Sequence, residues 1–180
     1  MGSPPTVGCP TDGTAATFLI AQNARADALT AYNAMVALPG GPFAGAGNLA
    51  GLTLAPGVYT SATSYMIQGG DLTLDGGGDA NAVWVFQMGT TLTVGGPGAA
   101  FPRNVILIGG AQPKNVFWQV GSAATINAGG GGTFVGTIIS QAGAAISTAG
   151  AATLVTIEGR VISLGASVTM VNTVINVPAP

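Results

Sequence analysis

The sequence predicts an all-β-dominated fold: a right-handed β-solenoid with a single α-helix, at about residues 15–37, packed along one side. Three observations carry this expectation. One early segment has a helical period, the chain beyond residue 50 consists of short β-type runs broken by glycine, and one motif recurs at near-constant spacing.

The helix comes first along the chain. Phe18, Arg25, Leu29, Tyr32 and Met35-Val36 recur at threes, fours and sevens, and Ala21, Ala28 and Ala31 fill neighbouring positions. Thr14 or Thr17 stands where a helix start is capped, and Pro39-Gly40-Gly41-Pro42 stops the segment. The apolar stripe requires a partner, and the small alanines allow close approach to a sheet.

The repeat defines the rest. Gly89-Thr90-Thr91-Leu92-Thr93, Gly121-Ser122-Ala123-Ala124-Thr125, Gly143-Ala144-Ala145-Ile146-Ser147 and Gly165-Ala166-Ser167-Val168-Thr169 share one pattern. Glycine is followed by two small residues, an apolar residue, and Thr or Ser. The last three glycines lie 22 residues apart; the first gap is 32, as if Gly95–Asn104 were a loop inserted into one coil. A matched strand precedes each glycine: Val83–Met88, Val116–Val120, Thr137–Gln141 and Arg160–Leu164. Gln87, Gln119 and Gln141 share one offset within it, with Ser163 in the fourth copy. A period of this size, with several short strands and no helix per repeat, suits one solenoid coil. A sandwich or barrel has no reason to repeat one motif at constant spacing.

Strand alternation then assigns sides. The apolar fourth positions (Leu92, Ala124, Ile146, Val168) are expected inside the coil. Their flanking residues face outward together: Thr91 and Thr93, Ala123 and Thr125, Ala145 and Ser147, Ser167 and Thr169. Stacked coils lie about 4.8 Å apart and alternate residues about 6.7 Å apart, which makes a two-column grid of short side chains. Threonine has few side-chain rotamers, so such a grid is rigid. Methyls and hydroxyls in a rigid lattice are suited to ordering water in an ice-like arrangement; a threonine ladder that merely stabilises stacking is the alternative.

Composition excludes other functions. The 180 residues suit one domain, yet only 6% are charged against roughly a quarter in ordinary proteins, so the surface is built from Thr, Ser, Ala, Gly, Asn and Gln. A net charge of -2 with four scattered cations offers no basic patch for nucleic acid. No run approaches about 18 uninterrupted apolar residues, so no membrane insertion is expected. No basic segment leads into an apolar one in the manner of a signal peptide. Without histidine, the lone Cys9 lacks the usual base of a nucleophile, and no enzyme is expected. No metal or cofactor is expected either. Asp71, Asp75 and Asp79 are spaced by four among glycines, and read as turn residues rather than as a calcium loop or a hydrolase pair. Trp84 and Trp118 read as core, and Glu158 with Arg160 as a solvated pair on one strand face.

Four segments carry a family resemblance: Asn48–Tyr59 (NLAGLTLAPGVY), Asp71–Met88 (DLTLDGGGDANAVWVFQM), Gly109–Ala123 (GGAQPKNVFWQVGSA) and Gly132–Gln141 (GTFVGTIISQ). They resemble the bacterial and fungal ice-binding proteins with a discontinuous β-solenoid, over about residues 20 to 176. The resemblance implies a three-sided solenoid with one long helix alongside. It also implies antifreeze activity, with inhibition of ice growth and recrystallisation through one flat face, and a secreted or cell-surface location. On that basis the ice-binding role falls to Thr91, Thr93, Thr125, Ser147, Ser167 and Thr169, with Ala123 and Ala145 as apolar members; the partner is the ice crystal surface. The alternative is a structural or adhesive module of a secreted surface protein without ice affinity.

The expected division is a lead-in at 1–14, one solenoid domain at 15–176, and a tail or linker start at 177–180, where NVPAP at 176–180 suggests further domains. The family normally begins with strands ahead of the helix, whereas only Met1–Gly13 precede it here. An incomplete solenoid exposes backbone edges, so either a truncated domain or a chain that self-associates edge to edge is expected.

Overall fold

A computed structural model describes residues 14–95, 102–127, 131–147 and 153–179. The chain first forms helix α1, Ala15–Val36, and then five successive coils. Coil 1 holds β1 (Thr53–Leu54), β2 (Gly57–Ser61) and β3 (Tyr65–Ile67). Coil 2 holds β4 (Leu72–Asp75), β5 (Trp84–Met88) and β6 (Leu92–Val94). Coil 3 holds β7 (Val105–Ile108), β8 (Val116–Val120) and β9 (Ala123–Ile126). Coils 4 and 5 are β10 (Gly132–Ser140) with β11 (Gly143–Ile146), and β12 (Val155–Ser163) with β13 (Val168–Met170); β14 (Thr173–Asn176) starts a further turn.

All strand pairs are parallel, and equivalent strands of successive coils are neighbours. Three sheets result, in the orders β1-β4-β7, β14-β12-β10-β8-β5-β2 and β13-β11-β9-β6-β3. The two nine-residue strands serve two sides. The second half of β10 continues the ladder from β8, whereas the first half of β12 carries β14. The change of side falls at Gly136, whose φ of 109° is open to glycine alone, and at its partner Gly159. A Cβ on Gly159 would collide with the Gly136 carbonyl oxygen.

In-register stacking places like residues on like inside the solenoid. Tyr59, Phe86 and Trp118 occupy one ladder position. Phe86 stacks on Trp118 at 4.0 Å between ring centroids and on Tyr59 at 5.4 Å, and Trp118 packs on Phe134 at 5.0 Å. Both tryptophans are fully buried, as expected, and their indole N–H groups donate to the Leu54 and Val135 carbonyls. The coil 1 end is closed by the chain that leads into it. Leu49 is fully buried, its N–H donates to Met66 O, and Pro42 O accepts from Thr60 N–H.

The helix lies where expected. Thr14 and Thr17 both cap it: each hydroxyl accepts from the other's backbone N–H, at 3.2 and 2.7 Å. Its contact stripe is narrower than the sequence pattern, with Ala28, Tyr32 and Met35 buried against Val85, Ile139 and Leu164. Leu29 and Val36 instead remain 36% and 52% exposed. Polar anchors set its register. Gln87 Nε2 donates to Met35 O, Gln119 Nε2 to Tyr32 Oη, and Arg25 Nε to Leu164 O. The helix therefore meets coil 2 at Met35, coil 3 at Tyr32 and coil 5 at Arg25. Three or four residues at 1.5 Å rise match each coil spacing of about 4.8 Å.

The 22-residue spacing of the motif averages two unequal intervals. Ala145 pairs with Thr125, 20 residues earlier, and with Thr169, 24 residues later. Gln119 accordingly pairs with Ile139, so Gln141 leaves the Gln87–Gln119 column and follows the strand. The Gly95–Asn104 insertion lies between β6 and β7 as expected; its residues 96–101 fall outside those described. Glu158 and Arg160 do not form a pair, because Gly159 turns the chain between them. Glu158 accepts from Asn176 Nδ2, and Arg160 donates to Pro178 O.

Two outcomes follow. Trp118→Ala removes the centre of the aromatic ladder and should cost about 3–5 kcal/mol in chemical denaturation. Burial also raises the phenol pKa of Tyr59 and of Tyr65 above the ordinary 10.0. A raised phenol pKa contributes stability in full below the unfolded value and loses it as pH climbs through the folded value. Melting temperature should thus fall as pH rises beyond about 10, and Tyr65→Phe should weaken that fall.

Candidate functional site

Each of the three sides has a different exterior. On one side the outward residues of β2, β5, β8, β10 and β12, including Val85, Phe117, Ile139 and Ile162, face the helix. A second side shows Thr53, Thr73, Ile106 and Ile108 together with Asp75, and carries Thr156, Glu158 and Val174 further along. The third side, formed by β3, β6, β9, β11 and β13, is uncovered among the described residues and bears no charged side chain.

Its register is explicit. Tyr65, Leu92, Ala124, Ala144 and Val168 form one inward column, and Ile67, Val94, Ile126, Ile146 and Met170 the other. Between them Met66, Thr93, Thr125, Ala145 and Thr169 point outward in a single column. Two residues earlier, Ser64, Thr91, Ala123, Gly143 and Ser167 make a second outward column by strand alternation. The inward residues of coils 2 to 4 are all buried, which anchors the strands from below. Thr91, Thr93, Ala123, Thr125 and Ala145 are half-buried, each shielded in part by its neighbours, whereas Ser167 and Thr169 on coil 5 are exposed. Among the described residues, the hydroxyls of Thr91, Thr93 and Thr125 have no protein partner and are available to water. Thr169 donates back to Ala144 O at 3.5 Å.

Seven of the eight residues singled out from the sequence thus lie on one surface. Ser147 does not. It follows β11 at a corner, has φ of 60°, is 5% exposed, and its hydroxyl is buried without a hydrogen-bond partner among the described residues. The cause is the unequal coil spacing: the motif alignment is displaced by two residues in coil 4. Because strand alternation has period two, that displacement keeps inside and outside correct. Ala145 therefore stays outward but joins the Thr93–Thr125 column instead of Ala123's. The corner position of Ser147 is that of Asn127, whose φ is 48°, since both N–H groups donate to the preceding coil.

Sequence reasoning missed Ser64 and Met66 on coil 1 and Gly143 on coil 4. Coil 1 carries Ala62 where coils 2, 3 and 5 have glycine, so the motif does not flag it, although Gly57–Ser61 followed by Ser64-Tyr65-Met66 repeats the strand pattern. The aspartates are occupied in the fold. Asp75 and Asp79 accept from Gly77 N–H and Asn81 N–H in tight turns, and Asp71 accepts from Asn104 N–H and Nδ2.

The chain resembles known proteins over most of its length. A family model described as ice-binding-like matches residues 6–176. An ice-binding protein of Nostoc sp. (strain HG1) is 39% identical over 153 residues, which covers 84% of this chain and 51% of that protein. An ice-binding protein of Flavobacterium frigoris (strain PS1) is 35% identical over 130 residues, covering 72% and 42%. The crystal structure of an ice binding protein from an Antarctic biological consortium superposes with a TM-score of 0.73 at 36% identity, over 86% of this chain and 64% of that one. The DUF3494 domain of Shewanella frigidimarina ice-binding protein 1 gives 0.75 at 28% identity, over 97% and 68%. The chain spans about half the length of the two relatives matched by sequence.

The corner placement of Ser147 has a measurable consequence. Ser147→Gly relieves a left-handed backbone and removes an unpartnered buried hydroxyl, so it should stabilise the fold by up to about 1 kcal/mol. A thermal melt reads this directly, and a serine on an open surface would instead show no gain.

Proposed function

The chain belongs to the ice-binding-like family, and from that premise we propose that it adsorbs to ice through the uncovered side of its solenoid. The observation that carries this reading is the pair of outward columns, five coils deep, with no charge and no long side chain other than Met66. The proposed contact residues are Thr91, Thr93, Ala123, Thr125, Ala145, Ser167 and Thr169, with Ser64 and Met66 extending the surface onto coil 1.

The physical basis is pre-organisation. Each threonine offers a methyl and a hydroxyl in one preferred rotamer, so little side-chain entropy is lost when the surface is covered. The strand ladder holds those groups at about 4.8 Å in one direction and about 6.7 Å in the other, so water over the surface is ordered by a rigid template. Each contact is weak and adhesion comes from the number made at once. A charged or flexible side chain would hold water in a competing arrangement. Adsorbed molecules force the ice front to curve between them, which opposes further growth and recrystallisation. The adhesive-module alternative is not favoured by the relatives, all described as ice-binding. Contact with extracellular ice implies a location outside the cell or at its surface. No helix among the described residues is long and apolar enough to cross a membrane.

The test is ice itself. Thr93→Tyr and Thr125→Tyr raise a bulky ring in the middle of the outward column and should abolish most thermal hysteresis and recrystallisation inhibition. Thr73→Tyr, on the side that carries Asp75, should leave both near the parent value. Equal loss at Thr73, or activity retained in both column variants with unchanged circular dichroism, would overturn the assignment.

A further inference from the structure

The hydrogen bonds that tie the solenoid to its helix are not spread evenly over the coils. Thr60, Gln87, Gln119 and Ile139 occupy one ladder column on the helix-bearing side. Each stands four residues before the first outward position of the threonine side, at Ser64, Thr91, Ala123 and Gly143. On coil 1, Thr60 Oγ1 accepts from Gly41 N–H at 2.9 Å, just after the helix, and donates to Gln87 Oε1 at 2.6 Å. On coil 2, Gln87 Nε2 donates to Met35 O at 2.6 Å and to Leu38 O at 3.2 Å. On coil 3, Gln119 Nε2 donates to Tyr32 Oη at 2.6 Å, and its Oε1 accepts from Met88 N–H at 3.2 Å, which ties coil 3 to coil 2 as well. On coil 5, Arg25 Nε donates to Leu164 O at 2.8 Å, three residues before Ser167. Tyr32, Gln87 and Gln119 are all buried.

Coil 4 is the exception. Its column residue is Ile139, which lies in the same apolar cluster as Ala28, and among the described residues no hydrogen bond joins coil 4 to the helix. The ties thus follow the hydroxyls. Every tied coil presents an outward Ser or Thr: Ser64 on coil 1, Thr91 and Thr93 on coil 2, Thr125 on coil 3, Ser167 and Thr169 on coil 5. The untied coil presents Gly143 and Ala145.

A sheet left to itself accumulates twist from strand to strand, and flat sheets are held flat by something specific. Twist would fan the outward columns and spoil their regular spacing. A helix that runs along the stack is a stiff rod, and ties at Met35, Tyr32 and Arg25 hold three coils to that one rod. We infer that Tyr32, Gln87 and Gln119 are positioning residues for the threonine side: through them the helix sets the relative orientation of the coils that carry the hydroxyls. This rests on adsorption through that side, and gives the helix a part in it without contact with ice. Coil 4 needs no tie, because a glycine and an alanine have no hydroxyl to aim.

Three variants of the full chain test this. Tyr32→Phe removes one hydroxyl and Gln119→Leu one amide, whereas Ile139→Ala hollows the same column on coil 4, where no tie exists, and destabilises through a cavity. Tyr32→Phe and Gln119→Leu should each lower thermal hysteresis about threefold or more, since a contact surface depends on how closely its supports hold it. Residual dipolar couplings of the β6 and β9 amides, measured in liquid water, should show β9 rotated against β6 in both. Ile139→Ala should lower the melting temperature yet retain the hysteresis and the couplings. Equal loss of hysteresis in Ile139→Ala overturns the positioning role, and so do unchanged couplings in Tyr32→Phe. Tyr32→Phe keeps the ring and its packing, so it reads the tie even if Gln119→Leu does not fold. The couplings need no ice, so they judge the ties separately from Thr93→Tyr, whose retained hysteresis would overturn the adsorption reading itself.

Discussion

In a stack of parallel coils each residue rests on its equivalent one coil away, about 4.8 Å distant, and almost every other feature follows from that spacing. The aromatic ladder exists because Tyr59, Phe86 and Trp118 share a ladder position, which holds flat rings at stacking distance. The helix can follow the solenoid because three or four helical residues advance by the same distance, so Met35, Tyr32 and Arg25 each find a coil. The corners obey the same constraint. Where two coils turn against each other at Gly136 and Gly159, a side chain on one would occupy the carbonyl oxygen of the other.

The constraint also explains what was legible in the sequence. The solenoid, the helix limits and the buried tryptophans could be read because repetition and helical period are properties of spacing alone. The outward columns were readable for a subtler reason: strand alternation has period two, so an alignment displaced by two residues still assigns the correct side. Ala145 is therefore outward in either alignment, while its column depends on the two-residue displacement. At the end of a strand this protection fails, and Ser147 is carried past β11 into a buried corner. The same two-residue displacement carries Gln141 past the end of β10 and out of the Gln87–Gln119 column.

What stayed illegible depends on changes of direction. Glu158-Gly159-Arg160 looks like a continuous strand, and nothing local says that the middle glycine meets Gly136 of the coil before. Leu29 and Val36 fit the helical period as well as Tyr32 does, but only one narrow stripe can touch a nearly flat sheet exterior. Coil 1 escapes the motif because Ala62 stands where coils 2, 3 and 5 have Gly89, Gly121 and Gly165.

The near absence of charge serves both the fold and the surface. Five coils with few ionic contacts rest on apolar burial and on backbone ladders, which screening of charge by salt leaves largely untouched. Charged side chains are the usual means of blunting exposed strand edges, and a chain that excludes them from its flat side gives up that protection. Threonine is a workable substitute on the broad side, where the backbone is already paired within the sheet. It cannot protect a terminal edge, where backbone N–H and carbonyl groups have no further coil to meet. A solenoid that keeps charge off its flat side closes an end by covering it. Pro42–Leu49 do so beside coil 1, where Leu49 is fully buried and Pro42 O accepts from Thr60 N–H.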